Sequence, residues 1–213
     1  VAIDGGVITQ LAANISDAAD RVIDAEGRVL IPGFVESHIH LDKALIASRK
    51  PNKSGTLKEA IEVTAELKPT FTKEDIYDRA KRVLEMIIPN GVTAIRTHSE
   101  FDPAQGFTGF ETILQLKEEY KALVDIQVVA FPQEGIFKAP GTEAMMYQAM
   151  EMGADVVGGI PYNDAPADAH IDLVFEIAKK YDKDIDLHQD FADEADAISI
   201  EYLCRKTIAE NYQ

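Results

Sequence analysis

The chain has 213 residues, 46% of them apolar, which is enough for a buried core and excludes intrinsic disorder. Its 37 acidic against 21 basic residues leave a formal net charge of -16, which speaks against nucleic acid or an anionic membrane as partner. No run approaches the roughly 18 to 20 apolar residues of a membrane span, and the first residues lack the basic-then-apolar layout of a signal peptide, so a cytoplasmic protein is expected.

Residues 1–31 read as short apolar-polar pieces, among them 6–11 and 28–31, broken by Gly5, Gly6 and Gly27. This is a small β segment. From Val35 onward apolar runs alternate with stretches of helical period. Strands are predicted at residues 33–37, 93–97, 126–131, 156–160 and 185–188. Helices are predicted at 57–65, 73–88, 110–121, 143–152, 168–181 and 193–209. Strand, helix, strand at this spacing means a parallel sheet. The single cysteine, Cys204, excludes an internal disulfide and a thiolate zinc cluster, and falls on the last predicted helix as a filler of its face.

Every strand but the first follows a helix stop: Pro89-Asn90-Gly91, Val124-Asp125, Met152-Gly153-Ala154-Asp155 and Tyr181-Asp182-Lys183-Asp184. The opposite ends of the strands carry the chemistry. His38-Ile39-His40, His98-Ser99-Glu100, Pro132-Gln133-Glu134, Pro161-Tyr162-Asn163-Asp164 and His188-Gln189-Asp190 all follow a strand's carboxyl end. Functional side chains crowded there mark an α/β barrel or a doubly wound sheet.

The sharpest feature is Glu36-Ser37-His38-Ile39-His40-Leu41-Asp42-Lys43. Strand alternation turns His38 and His40 to one face, where each can give an imidazole nitrogen to a single metal ion at about 2.0 to 2.2 Å. The pair follows Leu30-Ile31-Pro32-Gly33-Phe34-Val35, a buried strand entered through a Pro-Gly turn.

Here the sequence resembles the amidohydrolase superfamily, and within it the cytosine deaminase branch. The likeness runs along the chain. It includes residues 33–43, Lys53-Ser54-Gly55-Thr56-Leu57, Arg96-Thr97-His98, the block from Ile126 through Phe131-Pro132-Gln133-Glu134-Gly135 to Ile136, and the block from Gly153 to Pro161.

The resemblance implies a (β/α)8 TIM-type barrel with a flanking β-sandwich. About the first five β/α units would be present, with residues 1–31 in the sandwich and 32–213 in the barrel. It further implies one divalent metal, zinc or iron, since imidazole and carboxylate ligands suit both. His38, His40 and His188 match three of its ligands. The remaining histidine and aspartate ligands of the branch would follow Gln213, so the chain is expected to be the first half of an enzyme and inactive alone. The fourth strand ends in Gly159-Ile160-Pro161 without lysine, which argues for one metal and not two.

A glutamate that shuttles protons in the branch is replaced here by Phe191. Asp190, Asp193 or Glu194 is the expected substitute. Gln133 matches the amide that binds the carbonyl and ring N–H of a pyrimidine in the branch, a task for a group with both donor and acceptor. His98 is expected at the same mouth, in the ligand shell or as a substrate contact, and Tyr162, with Asn163, is expected to line the substrate pocket. Asp42 and Lys43 are expected to pair beside the histidines or to form a solvated ion pair, and His170 is expected on the surface.

The implied reaction is hydrolytic deamination of a small N-heterocycle such as cytosine or a related aminopyrimidine. The alternatives are hydrolysis of a cyclic amide or an N-alkyl aminotriazine on the same metal, or a non-catalytic relative that only binds. The partner is a small N-heterocyclic substrate, with no nucleic acid and no membrane, and the resemblance implies a homo-oligomer.

Overall fold

The computed structural model describes residues 1–191 and 198–212. The chain divides into two compact units, Val1–Pro32 and Gly33–Gln213. In the first, β1 (Ala2–Asp4) and β2 (Val7–Gln10) form an antiparallel hairpin. Its turn needs positive φ at both central residues, which Gly5 at 56° and Gly6 at 78° supply without steric cost. Residues 28–31 form no strand. Apolar character alone does not make a strand without a neighbouring backbone to complete the ladder.

In the second unit, β3 (Phe34–Ile39), β4 (Val92–Glu100), β5 (Asp125–Phe131), β6 (Val156–Gly159) and β7 (Asp184–Leu187) pair in chain order, all parallel. The sheet is therefore singly wound. A doubly wound sheet, whose strand order reverses at a switch point, is excluded. The helices are α1 (Leu57–Leu67), α2 (Lys73–Ile87), α3 (Thr108–Tyr120), α4 (Thr142–Met152), α5 (Ala167–Tyr181) and α6 (Ile200–Ala209).

The sheet is curled into a half-barrel. Strands lie about 4.8 Å apart, so the two edges of a flat five-stranded sheet would be about 19 Å apart. Yet the rings of His38 on β3 and His188 just beyond β7 have centroids 4.7 Å apart.

Local chemistry places the boundaries. The hydroxyls of Thr56 and Thr72 accept from the backbone N–H of Glu59 and Asp75, at 3.3 and 3.2 Å, which starts α1 and α2. Pro89 cannot continue α2, and Gly91, at φ 92°, turns the chain into β4. β4 runs to Glu100, three residues beyond its predicted end, because its ladder with β5 continues through His98, Ser99 and Glu100. The last helix is shorter than its period suggests. Ile198 and Ser199 lie before it, and 193–197 are outside the described residues.

Alternation divides the two faces of the sheet. Ile95, Ile126, Val128, Ala130 and Val157 pack outward against Ile76 and Leu84 of α2, Ile113 and Leu116 of α3, and Val174 and Ile177 of α5. Each such valine, leucine or isoleucine contributes about 1.5 to 3 kcal/mol. The other face carries His98, Gln127, Phe131, Asp186 and His188. Cys204, expected to fill a helix face, is exposed. No helix among the described residues is long and apolar enough to cross a membrane.

Candidate metal centre

The chain is pinned directly after His40. Leu41 N donates to Thr97 Oγ1 at 3.1 Å, and Glu100 N donates to Asp42 Oδ2 at 2.9 Å. Arg79 of α2 donates to the carbonyl oxygens of Asp42 and Ala44, at 3.0 and 2.7 Å. These bonds hold His38 and His40 at the carboxyl end of β3, with ring centroids 5.3 Å apart.

Four imidazoles converge there. The His98 ring lies 4.6 Å from that of His38 and 4.8 Å from that of His188. His188 Nε2 stands 3.4 Å from His40 Nε2. One ring nitrogen from each of His38, His40 and His188 falls within 4.8 Å of the others, and His98, Asp186 and His188 form a second such group.

Burial disfavours the charged form of His38, His40 and His188, and the neighbouring histidines add to it. It lowers the pKa of His38, assisted by His98. It lowers His40 strongly, assisted by the Lys43 charge and the other histidines. It pushes His188 down to about 4, assisted by His98 and His38. At neutral pH the three rings offer lone pairs, the form a metal requires.

The residues fit a divalent ion. Two nitrogens held tetrahedrally at about 2.0 to 2.1 Å lie about 3.4 Å apart, the separation seen between His40 and His188. His40 Nδ1 and His98 Nδ1 are buried without a hydrogen-bond partner among the described residues.

The substrate-side residues are placed as follows. His98 is fully buried within β4, with Nε2 3.1 Å from Asp186 Oδ1. Gln133 is half-buried beyond β5, and its Oε1 accepts from Lys43 Nζ at 2.8 Å. Tyr162 is half-buried in the turn after β6, its ring 6.2 Å from that of Phe191. Asn163 Nδ2 donates to the carbonyl oxygen of Gln133 at 2.9 Å.

Two expectations are corrected. Lys43 does not pair with Asp42 but with Glu100, at 3.0 Å. Asp42 turns into the protein, where burial pushes its carboxyl up to about 6. His170 is not on the surface. It is fully buried, with Nδ1 donating to Asp164 Oδ2 at 2.9 Å and Nε2 accepting from Ile160 N at 2.9 Å.

Asp190 directs its carboxylate to the start of α6. It accepts from Ser199 N at 2.7 Å, Ser199 Oγ at 2.8 Å and Ile200 N at 3.0 Å. Asp193 and Glu194 lie outside the described residues.

Sequence reasoning missed Asp186 and Lys68. Alternation offered a signal for Asp186, since residues 186 and 188 share a strand face. Lys68, in the turn after α1, had no local signal. Its ammonium lies 3.1 Å from Asp102, 2.6 Å from Glu134 and 3.4 Å from Glu100.

A family model described as "Amidohydrolase family" matches residues 21–203. Across its full length the chain is 34% identical to N-isopropylammelide isopropyl amidohydrolase of Pseudomonas sp. (strain ADP), covering 55% of that protein. Its fold matches the crystal structure of 5-methylcytosine deaminase from Klebsiella pneumoniae liganded with phosphonocytosine, with a TM-score of 0.85 and 37% identity. That match covers 94% of this chain and 50% of the other. The structure of N-isopropylammelide isopropylaminohydrolase from Burkholderia multivorans ATCC 17616 matches with a TM-score of 0.69 and 30% identity, over 85% of this chain and 46% of the other. The chain spans about half the length of the curated relatives it matches.

Proposed function

We propose, from the premise that this chain belongs to the amidohydrolase family, that the whole protein is a metal-dependent hydrolase which deaminates a small N-heterocycle such as an aminopyrimidine. The observation that carries this reading is the convergence of His38, His40 and His188, with two Nε2 atoms 3.4 Å apart, at the end of the half-barrel where Gln133 also emerges. Similarity to 5-methylcytosine deaminase supports the aminopyrimidine class.

In this reading His38, His40 and His188 hold one divalent ion, zinc or iron, and the remaining strands complete an eight-stranded barrel with a flanking sandwich. The ion supplies an activated water at neutral pH. The chain's own residues do the rest. Gln133 orients the ring. The Phe131 ring, 4.4 Å from that of His188 and 5.4 Å from that of His40, forms an apolar wall that excludes water. His98, held by Asp186, presents a fixed imidazole to the same space, and Tyr162 borders it.

Proton transfer by Asp190 or Glu194 stays part of the proposal. Burial raises the Asp190 carboxyl, but its hydrogen bonds from Ser199 and Ile200 outweigh that and lower it. This makes Asp190 a weak base at neutral pH. A homo-oligomer is proposed with the family reading, and light scattering on the whole protein checks it.

A second reading has its own support, the 34% identity along the whole chain to N-isopropylammelide isopropyl amidohydrolase. On the same site an N-alkyl aminotriazine would release an amine in place of ammonia. Product analysis of the whole, metal-loaded protein against aminopyrimidines and N-alkyl aminotriazines decides. Ammonia supports deamination and an alkylamine supports the second reading. A ring-opened acid points to a cyclic amide, and tight binding without product points to a non-catalytic relative.

A further inference from the structure

Gln133 has one end of its amide already committed. Its Oε1 accepts from Lys43 Nζ at 2.8 Å. An ammonium only donates, so the amide end facing Lys43 must be the oxygen, and a flip would set NH2 against NH3+. Lys43 cannot easily move away, because its Nζ is also bonded to Glu100 at 3.0 Å and the two side chains are only 12% and 5% exposed.

The surroundings brace both partners. Glu100 is shared with Lys68, which also holds Glu134, the residue after Gln133. The main chain of Gln133 is fixed by Asn163 Nδ2 on its carbonyl oxygen. Its Nε2 has no hydrogen-bond partner among the described residues.

We infer that Lys43 is a positioning residue that determines specificity: it holds the Gln133 amide with Nε2 free to donate, so the site selects rings that present an exocyclic oxygen to Gln133 over rings that present an amino group there. The inference rests on the heterocycle reading above. The ammonium also polarises the amide and strengthens the N–H as a donor. An amino group at that point would meet donor with donor and leave the amide N–H unpaired, a mismatch of about tenfold or more in affinity.

The test uses the whole, metal-loaded protein and two probes that differ by one group, 4-amino-2-oxopyrimidine and 2,4-diaminopyrimidine, with affinities taken from the substrate dependence of initial rates, or from calorimetry for a ring that is not turned over. The wild-type chain should bind the oxo ring about tenfold or more tightly. Lys43→Met, which lets the amide flip, should bring the two affinities to within about threefold, with metal content unchanged. Lys43→Arg should keep the preference, since a guanidinium also only donates. If Lys43→Met does not fold, Lys43→Gln is read in its place, because an amide partner accepts both orientations of Gln133.

A preference that survives Lys43→Met or Lys43→Gln, or its absence in the wild type, overturns the role of Lys43 and leaves the hydrolase reading standing. Binding of neither ring overturns the aminopyrimidine reading and the role of Lys43 with it.

Discussion

Asp186 and His98 lie on strands three apart in the sheet, β7 and β4, yet Asp186 Oδ1 stands 3.1 Å from His98 Nε2. The other oxygen takes Arg96 Nη1 at 3.0 Å. Burial alone would raise the Asp186 carboxyl, but His98 and Arg96 outweigh it and hold it down at about 2. The carboxylate is thus ionised at neutral pH and puts the His98 proton on Nε2. Asp186→Asn should lower turnover by about 10- to 100-fold, the usual cost of removing a group that orients a histidine at a metal centre. Metal analysis beside initial rates checks it, with the metal expected to remain bound.

His188 closes the metal group from the far edge of the sheet. His188→Ala leaves His38 and His40 without their third partner, so metal and activity should disappear together. Elemental analysis with product assay on the whole protein reads both. Turnover by a metal-free variant would sink the metal scheme.

Asp164 collects five donors: the backbone N–H groups of Ile136, Phe137, Lys138 and Ala165, and His170 Nδ1. It thereby ties the loop after β5 to the turn after β6 and to α5. Asp164→Ala strands these donors and should cost about 3 kcal/mol or more, measured by urea unfolding.

The same residue gives a pH dependence. Burial raises the Asp164 carboxyl, but the hydrogen bonds from His170, Phe137 and Ile136 outweigh it and hold the carboxyl well below the usual carboxylate range. A carboxyl depressed in the folded state stabilises fully above its unfolded pKa, about 3.9. That contribution fades as pH falls below about 4. The stability gap between the wild type and Asp164→Asn should therefore be wide at pH 7 and narrower at pH 3, read from unfolding midpoints.

Gly158 sits where β6 meets β5. A Cβ there would lie 2.5 Å from the Ala130 carbonyl oxygen and 2.8 Å from Val129 Cγ1. A backbone oxygen in a ladder cannot step aside, so Gly158→Ala should destabilise by about 2 kcal/mol or more, checked by thermal unfolding.

Much of this was legible in the sequence because it is local. The alternation that brings His38 and His40 to one face belongs to a single strand. The stops at Pro89-Asn90-Gly91 and Gly153 belong to a single turn. Local periods likewise located the five parallel strands to within a few residues, and the motif around the two histidines pointed to a metal before any contact was known.

The sequence by itself determined the elements and the end of the sheet at which the chemistry gathers. Only the tertiary structure decided which side chains meet: His188 with His40 across 148 residues, Asp186 with His98 across 88, Lys43 with Gln133 across 90, and His170 drawn inward onto Asp164. Those meetings depend on how strongly the sheet curls and on how the parallel strands register, and both are set by packing summed over many distant residues. No single stretch of sequence carries that sum, so the partners of each polar group stay undetermined until the strands are side by side.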